Sequence, residues 1–271
     1  MNLLHDLREA WSYRYLLQML VWRDLKARYK SSVLGIAWSF LQPMGMTAVL
    51  SLAFGIINRG NTAISAYPVF ILSGLLAWNF FSTAILSGTG SVVNNGALVK
   101  KVYFPRVLLP ISSVISGLIN FVFALPIFFI AAAIYGFPLR ESLLWLPLVI
   151  LIQVIFSIGL SLMLATLNVF YRDTQFILEL AMQALFFLTP LWYDINTAGS
   201  MQRWGLSVDL ALWIRRLNPM ASLVNIYQDL MYRGVVTTPD FWLRTLLTAI
   251  FVLVFGYWIF QKYSPRFGEE V

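Results

Sequence analysis

Long stretches of this chain contain no Asp, Glu, Lys or Arg, and their distribution predicts its main elements. They cover residues 31–58, 60–99, 107–139, 142–171 and 245–261. The hydrocarbon core of a bilayer is about 30 Å thick, and a helix needs about 20 apolar residues to cross it. Most of the stretches are that long or longer, so the sequence predicts a membrane protein built from spanning helices.

Six spanning helices fit these stretches, near residues 33–57, 67–89, 108–134, 143–169, 174–193 and 242–260. The predicted fold is therefore an all-α membrane protein, with residues 1–271 forming one transmembrane domain. The fifth span is the least regular, because it contains Glu179 and ends at Thr189-Pro190. In the first span, Gln42 and Pro43 are expected to interrupt the helix, since proline lacks the N–H that a helix interior uses.

The first 30 residues have an amphipathic pattern. Leu4, Leu7 and Trp11 recur at helical spacing, and basic residues occupy much of the remaining surface. This pattern predicts a helix lying in the membrane interface. A plain basic flank to the first span is the alternative.

The segment 194–240, between spans five and six, also has helical periodicity. Apolar residues recur at helical spacing over residues 210–217 and 220–231. Asn218-Pro219 is an N-cap and N1 pair for the second of these helices, and Gly234 can end it. The sequence therefore predicts two short external helices that enter the outer leaflet and return.

The composition of the chain limits the kinds of chemistry that it can perform. Hydrophobic residues make up 59% of the chain and charged residues 11%, whereas soluble domains have about 25% charged residues. The sequence has no cysteine, a single histidine (His5) and no G-x-x-x-x-G-K-[ST] motif, so it has neither cysteine chemistry nor a P-loop for ATP. We expect no catalytic residue, no metal site and no cofactor bound by this chain.

The distribution of basic residues predicts the topology. The net charge is +7, and Lys and Arg are concentrated at residues 8–30, 100–106, 172 and 262–266. By the positive-inside rule, this distribution places both termini in the cytoplasm. The basic charge therefore indicates membrane orientation, not a nucleic-acid partner.

Polar residues lie on one side of several spans. Gln175, Glu179 and Gln183 fall at i, i+4 and i+8 on the fifth span. For the similar faces of the third and fourth spans we favour hydrogen bonding between helices, worth about 0.6 kcal/mol per bond. On the fifth span a functional role and helix contact stay equally open, because an ionisable group within a membrane indicates function by default.

Aromatic residues make up 16% of the chain, and most are expected in interfacial belts or in packing. Those that lined a path would suit a sugar polymer, because the C–H face of a sugar ring lies flat on an aromatic ring. The candidates are Trp38, Trp78, Phe186 and Phe187.

The loop between spans two and three has the sequence Leu-Val-Lys-Lys-Val-Tyr-Phe-Pro-Arg over residues 98–106. Positive-inside charge explains Lys100, Lys101 and Arg106. It does not explain three large apolar side chains, over residues 102–104, in a loop that faces water. A docking element for a cytoplasmic partner explains both.

Several of these segments resemble those of a known family. Arg-Asp-Leu-Lys-Ala-Arg-Tyr-Lys-Ser-Ser-Val-Leu-Gly-Ile-Ala-Trp over residues 23–38, followed by Leu-Gln-Pro at 41–43, is similar to the start of the first span in ABC-2 type permeases. It most resembles the branch that exports O-antigens, capsular polysaccharides and teichoic acids. The 98–106 loop, Phe-Tyr-Arg-Asp at 170–173 and Asn218-Pro219 match as well, in the same order.

The resemblance implies a homodimeric permease in the bacterial inner membrane that pairs with two copies of a cytoplasmic ABC ATPase, which binds ATP and Mg²⁺. It also implies three sets of site residues. The ATPase-coupling set is Lys100, Lys101, Val102, Tyr103, Phe104, Arg106, Arg172 and Asp173. The translocation path is Trp38, Gln42, Trp78, Glu179, Gln183, Phe186 and Phe187. The external gate is Trp213, Asn218, Pro219 and Tyr227.

The implied cargo is a glycan linked to polyprenyl diphosphate. Arg23, Lys26, Arg28 and Lys30 are positively charged and can receive the diphosphate, because charge-assisted bonds to phosphate are strong. Ordinary attraction to anionic membrane lipid explains each of these residues equally well. An ABC-2 permease for teichoic acid, lipid or drug is the alternative function, and a membrane-embedded glycan-assembly enzyme is a further one.

Overall fold

The computed structural model describes residues 12–30, 32, 34–57, 64–138, 140–195, 200–203 and 206–271. Over these residues the chain is predominantly helical. The helices are α1 (Arg14–Tyr29), α2 (Trp38–Ile57), α3 (Tyr67–Gly90), α4 (Gly96–Lys101), α5 (Leu108–Ile134), α6 (Leu146–Phe170), α7 (Thr174–Leu188), α8 (Leu210–Leu217), α9 (Pro219–Gln228), α10 (Pro239–Tyr263) and α11 (Phe267–Glu270).

Four helical segments in the described ranges are long and apolar enough to cross a membrane. They are Tyr67–Gly90, Leu108–Ile134, Glu141–Phe170 and Pro239–Glu270, the last two counted with the short turns that adjoin α6 and α10. They coincide with predicted spans two, three, four and six. Predicted spans one and five are helices as well, α2 with 20 residues and α7 with 15. A 15-residue helix rises about 22 Å, which is shorter than a bilayer core.

The first span differs from its prediction in two ways. Its α-helix begins at Trp38, after a 3₁₀ turn over Gly35–Ala37 in which Gly35 has a φ of 50°. The prediction that Pro43 interrupts the helix is wrong, because Pro43 lies inside an unbroken α2. Pro43 is only five residues from the helix start. Its missing N–H therefore removes a single backbone hydrogen bond, close to the N-terminal end of α2.

The N-terminal helix α1 is packed against protein along one side. Leu20, Val21 and Leu25 are buried, and α1 contacts α5. Tyr15, Met19 and Trp22 are exposed on its other sides. Leu4, Leu7 and Trp11, which led to the interfacial prediction, lie outside the described residues.

Helix α3 is the centre of the bundle, and its neighbours bond to its backbone. Most of its residues are buried. Gln153 Nε2 of α6 donates to the carbonyl of Ala77 at 2.8 Å, and Asn168 Nδ2 of α6 donates to the carbonyl of Thr89 at 3.1 Å. Gln153, on the polar side of the fourth span, therefore joins two helices, as favoured from the sequence, whereas the hydroxyl groups of Ser157 and Ser161 on that side have no hydrogen-bond partner among the described residues.

Helices α6 and α10 cross at two glycines. A Cβ on Gly256 would overlap the carbonyl of Gly159, and a Cβ on Gly159 would overlap the backbone of Leu253. Only glycine allows backbones this close. Together α3, α5, α6 and α10 form what we call the frame of the molecule.

The segment after α7 contains a feature that the sequence did not predict. Strands β1 (Ser200–Arg203) and β2 (Leu206–Asp209) form an antiparallel hairpin in which Ser200 pairs with Asp209. The two predicted short helices follow as α8 and α9. The α9 start is confirmed, because Asn218 Oδ1 accepts from the N–H groups of Met220 (3.0 Å) and Ala221 (3.2 Å).

Gly234 ends this second short helix, as predicted. After α9 the chain continues as a π-helical turn over Asp229–Arg233, and Gly234 follows with a φ of 68°. Glycine adopts this left-handed conformation at no steric cost. The chain then enters α10 at Pro239, which is the first residue of that helix.

Candidate functional site

One end of the molecule gathers α1, the 98–106 stretch and the C-terminal residues into a single apolar cluster. Buried Leu20, Val99, Phe104, Leu108 and Phe267 pack together there. The cluster fixes the position of the short helix α4 and of the extended residues that follow it. Sequence order alone does not reveal that residues this far apart share one core.

The predicted coupling loop divides into an exposed part and an anchoring part. Lys100 and Lys101 are exposed in the last turn of α4. Val102 is 50% exposed and Tyr103 is 90% exposed, whereas Phe104 is only 5% exposed. The docking role predicted for Phe104 does not fit its position, because its ring packs inward. Val102 and Tyr103 are the apolar side chains that a partner can contact.

Arg106 also points into the fold. Its Nη1 donates to the backbone carbonyl of Ser264, and Ser264 lies in the turn that follows α10. A guanidinium that bonds a carbonyl across the cluster holds the loop in place. The structure therefore places Arg106 beside Phe104 as a support for the loop.

Arg172 and Asp173 lie at the same end and are exposed. They occupy the turn between α6 and α7. Phe170, at the end of α6, lies 5.7 Å from Tyr263 and 6.2 Å from Phe267 between ring centroids. The turn therefore adjoins the same apolar cluster that carries the loop. We call the exposed residues Lys100, Lys101, Val102, Tyr103, Arg172 and Asp173 the coupling rim.

The four cations proposed to receive a diphosphate do not form one cluster. Arg23 donates to Asn95 Oδ1 at 2.7 Å and pairs with Asp24 Oδ1 at 2.9 Å. Lys26 and Lys30 lie with Arg23 on an open surface of α1. Arg28 faces another direction and lines a separate cavity.

The Arg28 cavity is a polar site that the sequence did not indicate as a unit. It has a volume of about 150 Å³ and lies between α2, α3 and α5. Ser39 Oγ donates to Asn120 Oδ1 across it at 2.8 Å. Its polar lining residues are Arg28, Ser39, Gln42, Asn79, Thr83 and Asn120. The arrangement offers donors and acceptors within a largely apolar bundle. The sequence contained one signal for this cavity, because Asn79 places an amide side chain in the middle of the second span.

The aromatic residues proposed for the path have two different surroundings. Trp78 is 5% exposed and packs against Phe81 and Phe186, with centroid distances of 5.7 and 5.8 Å. Phe187 is 61% exposed and Trp38 is 50% exposed. The position of Trp78 does not suit a path-lining role in this conformation, because it fills the core between α3 and α7. Phe186 is partly buried and joins that core to Phe187.

Helix α7 has little protein around it. Leu178 and Met182 are its only buried residues. Glu179 and Gln183 are exposed, and Gln175 Nε2 lies 3.4 Å from Glu179 Oε1. Much of α2 is also exposed, including Gln42 and Leu52. We call the exposed sides of α2 and α7 the open face.

The opposite end of the molecule carries the predicted gate residues. Trp213 is 47% exposed, whereas Tyr227 is fully buried and packs against Phe121 at 6.1 Å. Asn218 is the N-cap of α9, and its Nδ2 also donates to Thr189 Oγ1 at 2.9 Å. Tyr227 and Asn218 therefore hold the gate segment in place. Trp213 is the member of the set that reaches the surface.

A buried charge network joins the gate segment to the residues after α7. Arg233 bonds Asp229 and also Asp194, the latter at 2.6 Å. Burial raises the pKa of the Asp229 carboxyl, while the hydrogen bond and charge of Arg233 act in the opposite direction. Burial lowers the pKa of Arg233, but its contacts with the two carboxylates outweigh this and raise it overall. Removing Arg233 would leave the buried carboxylate of Asp229 uncompensated, which is strongly destabilising.

Comparisons with known proteins find similar sequences over most of the chain. The family described as "ABC-2 type transporter" matches residues 15–232. The chain is 35% identical over 265 residues to the O-antigen export system permease protein RfbA of Myxococcus xanthus, covering 97% of this chain and 98% of that protein. It is 32% identical over 268 residues to the protein of the same description from Klebsiella pneumoniae, covering 97% and 99%. It is also similar to the polysialic acid transport protein KpsM of Escherichia coli, with 22% identity over 230 residues, 81% of this chain and 82% of that protein.

Proposed function

Because this chain belongs to the ABC-2 type transporter family, we propose that it is the membrane permease of an ATP-driven polysaccharide exporter. Its cargo is an O-antigen type glycan carried on polyprenyl diphosphate, which moves across the bacterial inner membrane. The single observation that carries the proposal is the similarity to O-antigen export permeases over 97% of the chain. This similarity extends over nearly the whole chain, so a different function for a separate part of it has no support.

The proposed topology has six spans with both termini in the cytoplasm. The four long apolar helices are joined by α2 and α7 as the first and fifth spans. Helix α7 is short for a bilayer core, and the chain after it continues into the segment of α8 and α9. In this topology α8 and α9 are external helices that return within the outer leaflet, where irregular backbone needs surrounding protein or water.

The working unit is proposed to be a homodimer. The open face presents Glu179, Gln183 and Gln42, which also borders the Arg28 cavity. In the proposed topology these groups lie within the bilayer, where unsatisfied polar groups cost several kcal/mol. A second copy or a hydrated path is therefore the environment that suits this face. Trp38 and Phe187 on the same helices offer sugar rings flat apolar surfaces.

The coupling rim is proposed to receive a cytoplasmic ABC ATPase, two copies per dimer, which binds ATP and Mg²⁺. Its exposed Tyr103 and Val102 can enter a groove of the partner, and Lys100 and Lys101 can pair with carboxylates at the groove edge. This chain has no P-loop, so the energy has to come from such a partner.

The lipid diphosphate is proposed to reach the permease from the side of α1. Lys26 and Lys30 provide long-range attraction on its open surface. Arg28 and the amides of the adjoining cavity provide directed bonds, because guanidinium groups bind phosphate oxygens in pairs. The division of the cations between two surfaces supports a sequence of capture followed by binding.

Restoring export in a defined strain tests the proposal. A bacterium that makes an O-antigen but lacks its own exporter would receive this chain together with an ABC ATPase from the same organism. We expect polymer at the cell surface, detected by antibody on intact cells. The matched control carries a Lys→Ala change in the P-loop of the ATPase, and polymer should then accumulate inside. Export by this chain without any ATPase, or polymer synthesis by this chain in a strain that lacks the polymerising enzymes, would contradict it.

A further inference from the structure

A small cavity with a concentrated positive charge lies at the end of the molecule opposite to α1. It has a volume of about 100 Å³ and is bounded by α6, α8, α9 and α10. Arg215, Arg216 and Arg244 line it, together with the hydroxyl groups of Ser222, Thr245 and Thr248. None of its described lining residues is acidic. The cavity is separate from both the coupling rim and the Arg28 cavity.

Two of the arginines are held in place by neighbouring groups. The guanidinium carbons of Arg244 and Arg215 lie 4.9 and 5.9 Å from the centroid of the Phe241 ring. Arg244 Nη2 also donates to Ser222 Oγ at 3.3 Å, and Arg215 Nη2 lies 3.4 Å from Asn225 Oδ1. Stacking on a ring fixes the plane of a guanidinium and leaves its edge available for bonding. Arg216 is exposed at the rim of the cavity.

Three arginines around one small space favour an anion, and Asp229, which interacts with Arg215, is the one acidic group among the interactions described for this cluster. Repulsion between the arginines is relieved when a phosphate-like oxyanion enters, and each arginine can give it charge-assisted bonds. The start of α9 adds to this field, since Pro219 and Ser222 in its first turn line the same cavity. The positive end of a helix dipole favours an anion nearby.

Two tryptophans indicate that the cavity lies near the depth of lipid headgroups. Trp145 and Trp242 lie beside each other at the starts of α6 and α10, with ring centroids 6.2 Å apart, and paired aromatic residues of this kind mark a membrane interface. Arg244 is five residues from the α10 start, which is about 8 Å along the helix. Next to the lining residues, Leu151 is 54% exposed and Leu247 is 57% exposed. Both belong to helices that line the cavity, so exposed apolar side chains adjoin its lining residues on α6 and α10.

We propose that this arginine cavity binds the phosphate headgroup of an anionic phospholipid from the adjoining leaflet. The phosphate oxygens occupy the space between the guanidinium groups, and the acyl chains lie along the exposed apolar sides of α6 and α10. The apolar surface favours a lipid over free inorganic phosphate, which would gain nothing from it. The bound lipid then joins the gate segment to the sixth span, because Arg215 belongs to α8 and Arg244 to α10. The inference does not depend on the identity of the exported cargo.

Lipid binding to the purified dimer tests the inference directly. The protein is placed in nanodiscs of phosphatidylcholine, and binding of phosphatidylglycerol is followed by native mass spectrometry at low and at high salt. The variant is Arg216→Gln with Arg244→Gln, which leaves the Arg215 contact to Asn225 in place. We expect affinity for phosphatidylglycerol about 30-fold below that of the wild type, from about 1 kcal/mol for each lost cation. The control is Arg266→Gln, an exposed arginine beyond α10 at the opposite end, which should bind as the wild type does.

Each alternative to the proposal predicts a different experimental result. If the double variant binds phosphatidylglycerol as well as the wild type does, the arginine cavity is not the site. If millimolar inorganic phosphate binds the wild type in the absence of anionic lipid and prevents phosphatidylglycerol binding, the site takes a free oxyanion and the lipid assignment is wrong. The wild type also provides a test that does not require the variant to fold. Equal affinity for phosphatidylcholine and phosphatidylglycerol at low salt would overturn the proposal.

Discussion

Helices α3 and α7 are both apolar and both carry aromatic and polar side chains, yet their surroundings are opposite. Helix α3 is buried on most of its surface, and its backbone receives bonds from Gln153 and Asn168. Helix α7 has only Leu178 and Met182 buried, and its Glu179 and Gln183 face away from the bundle. The difference separates a frame, whose polar side chains are buried and in part bonded within one chain, from an open face, whose polar groups need partners outside this chain.

The same contrast explains why similar residue types have different roles. Trp78 on α3 fills a space between helices, while Phe187 on α7 presents its ring outward. Substitutions in the frame should therefore change stability first. Substitutions on the open face or the coupling rim should change assembly or transport while the single chain stays folded.

The largest effect is expected from Gly256→Leu. The added side chain has no space at the α6–α10 crossing, because a Cβ alone would overlap the Gly159 carbonyl, and we expect a loss of more than about 3 kcal/mol of stability. Fluorescence-detected size-exclusion chromatography of a tagged protein would show aggregated or degraded material. Gly45→Leu on α2 is the matched control, since a Cβ there meets nothing within 4 Å. Equal behaviour of the two variants would remove the distinction between frame and open face.

Phe104→Ala and Tyr103→Ala compare adjacent residues of one loop. Loss of the buried Phe104 ring should lower stability by about 3 kcal/mol, because it leaves a cavity in the terminal cluster. Loss of the exposed Tyr103 ring should leave stability within about 0.5 kcal/mol and weaken ATPase binding. Thermal unfolding in detergent and co-purification of the ATPase measure the two effects. A Tyr103 variant that unfolds more readily than the Phe104 variant would reverse our assignment.

Trp78→Ala and Phe187→Ala test the aromatic residues in the same way. We expect Trp78→Ala to cost about 2 kcal/mol, less than in a water-soluble core because separated helices in lipid already have apolar surroundings. Phe187→Ala should leave the melting temperature nearly unchanged and reduce polymer export. The two measurements are melting temperature in detergent and surface polymer on cells. Normal export by a correctly folded Phe187 variant would exclude that ring from the path.

Lys100→Glu with Lys101→Glu should act on the coupling rim alone. Two charge reversals opposite an acidic groove cost about 2 kcal/mol of binding, or about 30-fold in affinity. Both side chains are exposed, so the protein should still insert and fold. Pull-down of the ATPase from membranes gives the result, with Lys262→Glu as the control at the same end. Undiminished recovery of the ATPase would show that these lysines do not face it.

Glu179→Gln should have the smallest effect on the folded chain. Its carboxylate is exposed and lies near only Gln175 in the described fold, so stability should change by less than about 0.5 kcal/mol. If the open face lines a hydrated path or a dimer contact, export should fall while the melting temperature does not. A large drop in melting temperature of the monomer would instead place Glu179 in a structural contact.

Local signals in the sequence predicted local structure well. Asn218-Pro219 predicted the start of α9 and Gly234 predicted its end, because capping and a left-handed backbone depend on a few neighbouring residues. The long apolar stretches predicted α3, α5, α6 and α10 for a similar reason. The membership of the family also follows from residues that lie close together in the sequence.

Properties that depend on distant contacts were not predictable. The opposite directions of Tyr103 and Phe104 are set by where Phe267 and Leu20 pack, and no spacing within the loop contains that information. Arg28 was grouped with Lys26 by charge, but the position of α2 and α5 decides that it faces a cavity. The hairpin of β1 and β2 was missed because each strand has only four residues, and β1 lacks the alternation of apolar and polar residues that marks a strand.

The bond from Arg106 to the Ser264 carbonyl has a mechanical consequence. Because of this bond, we expect a displacement of the loop that precedes α5 to move the end of α10 as well, although the two are far apart in the sequence. Helix α10 in turn shares its glycine crossing with α6, so the positions of the loop, α10 and α6 are linked by direct contacts. If the proposed ATPase binds at Tyr103, we expect its movement to reach Pro239 and Arg244, which lie in the first turns of α10 at the other end of that helix.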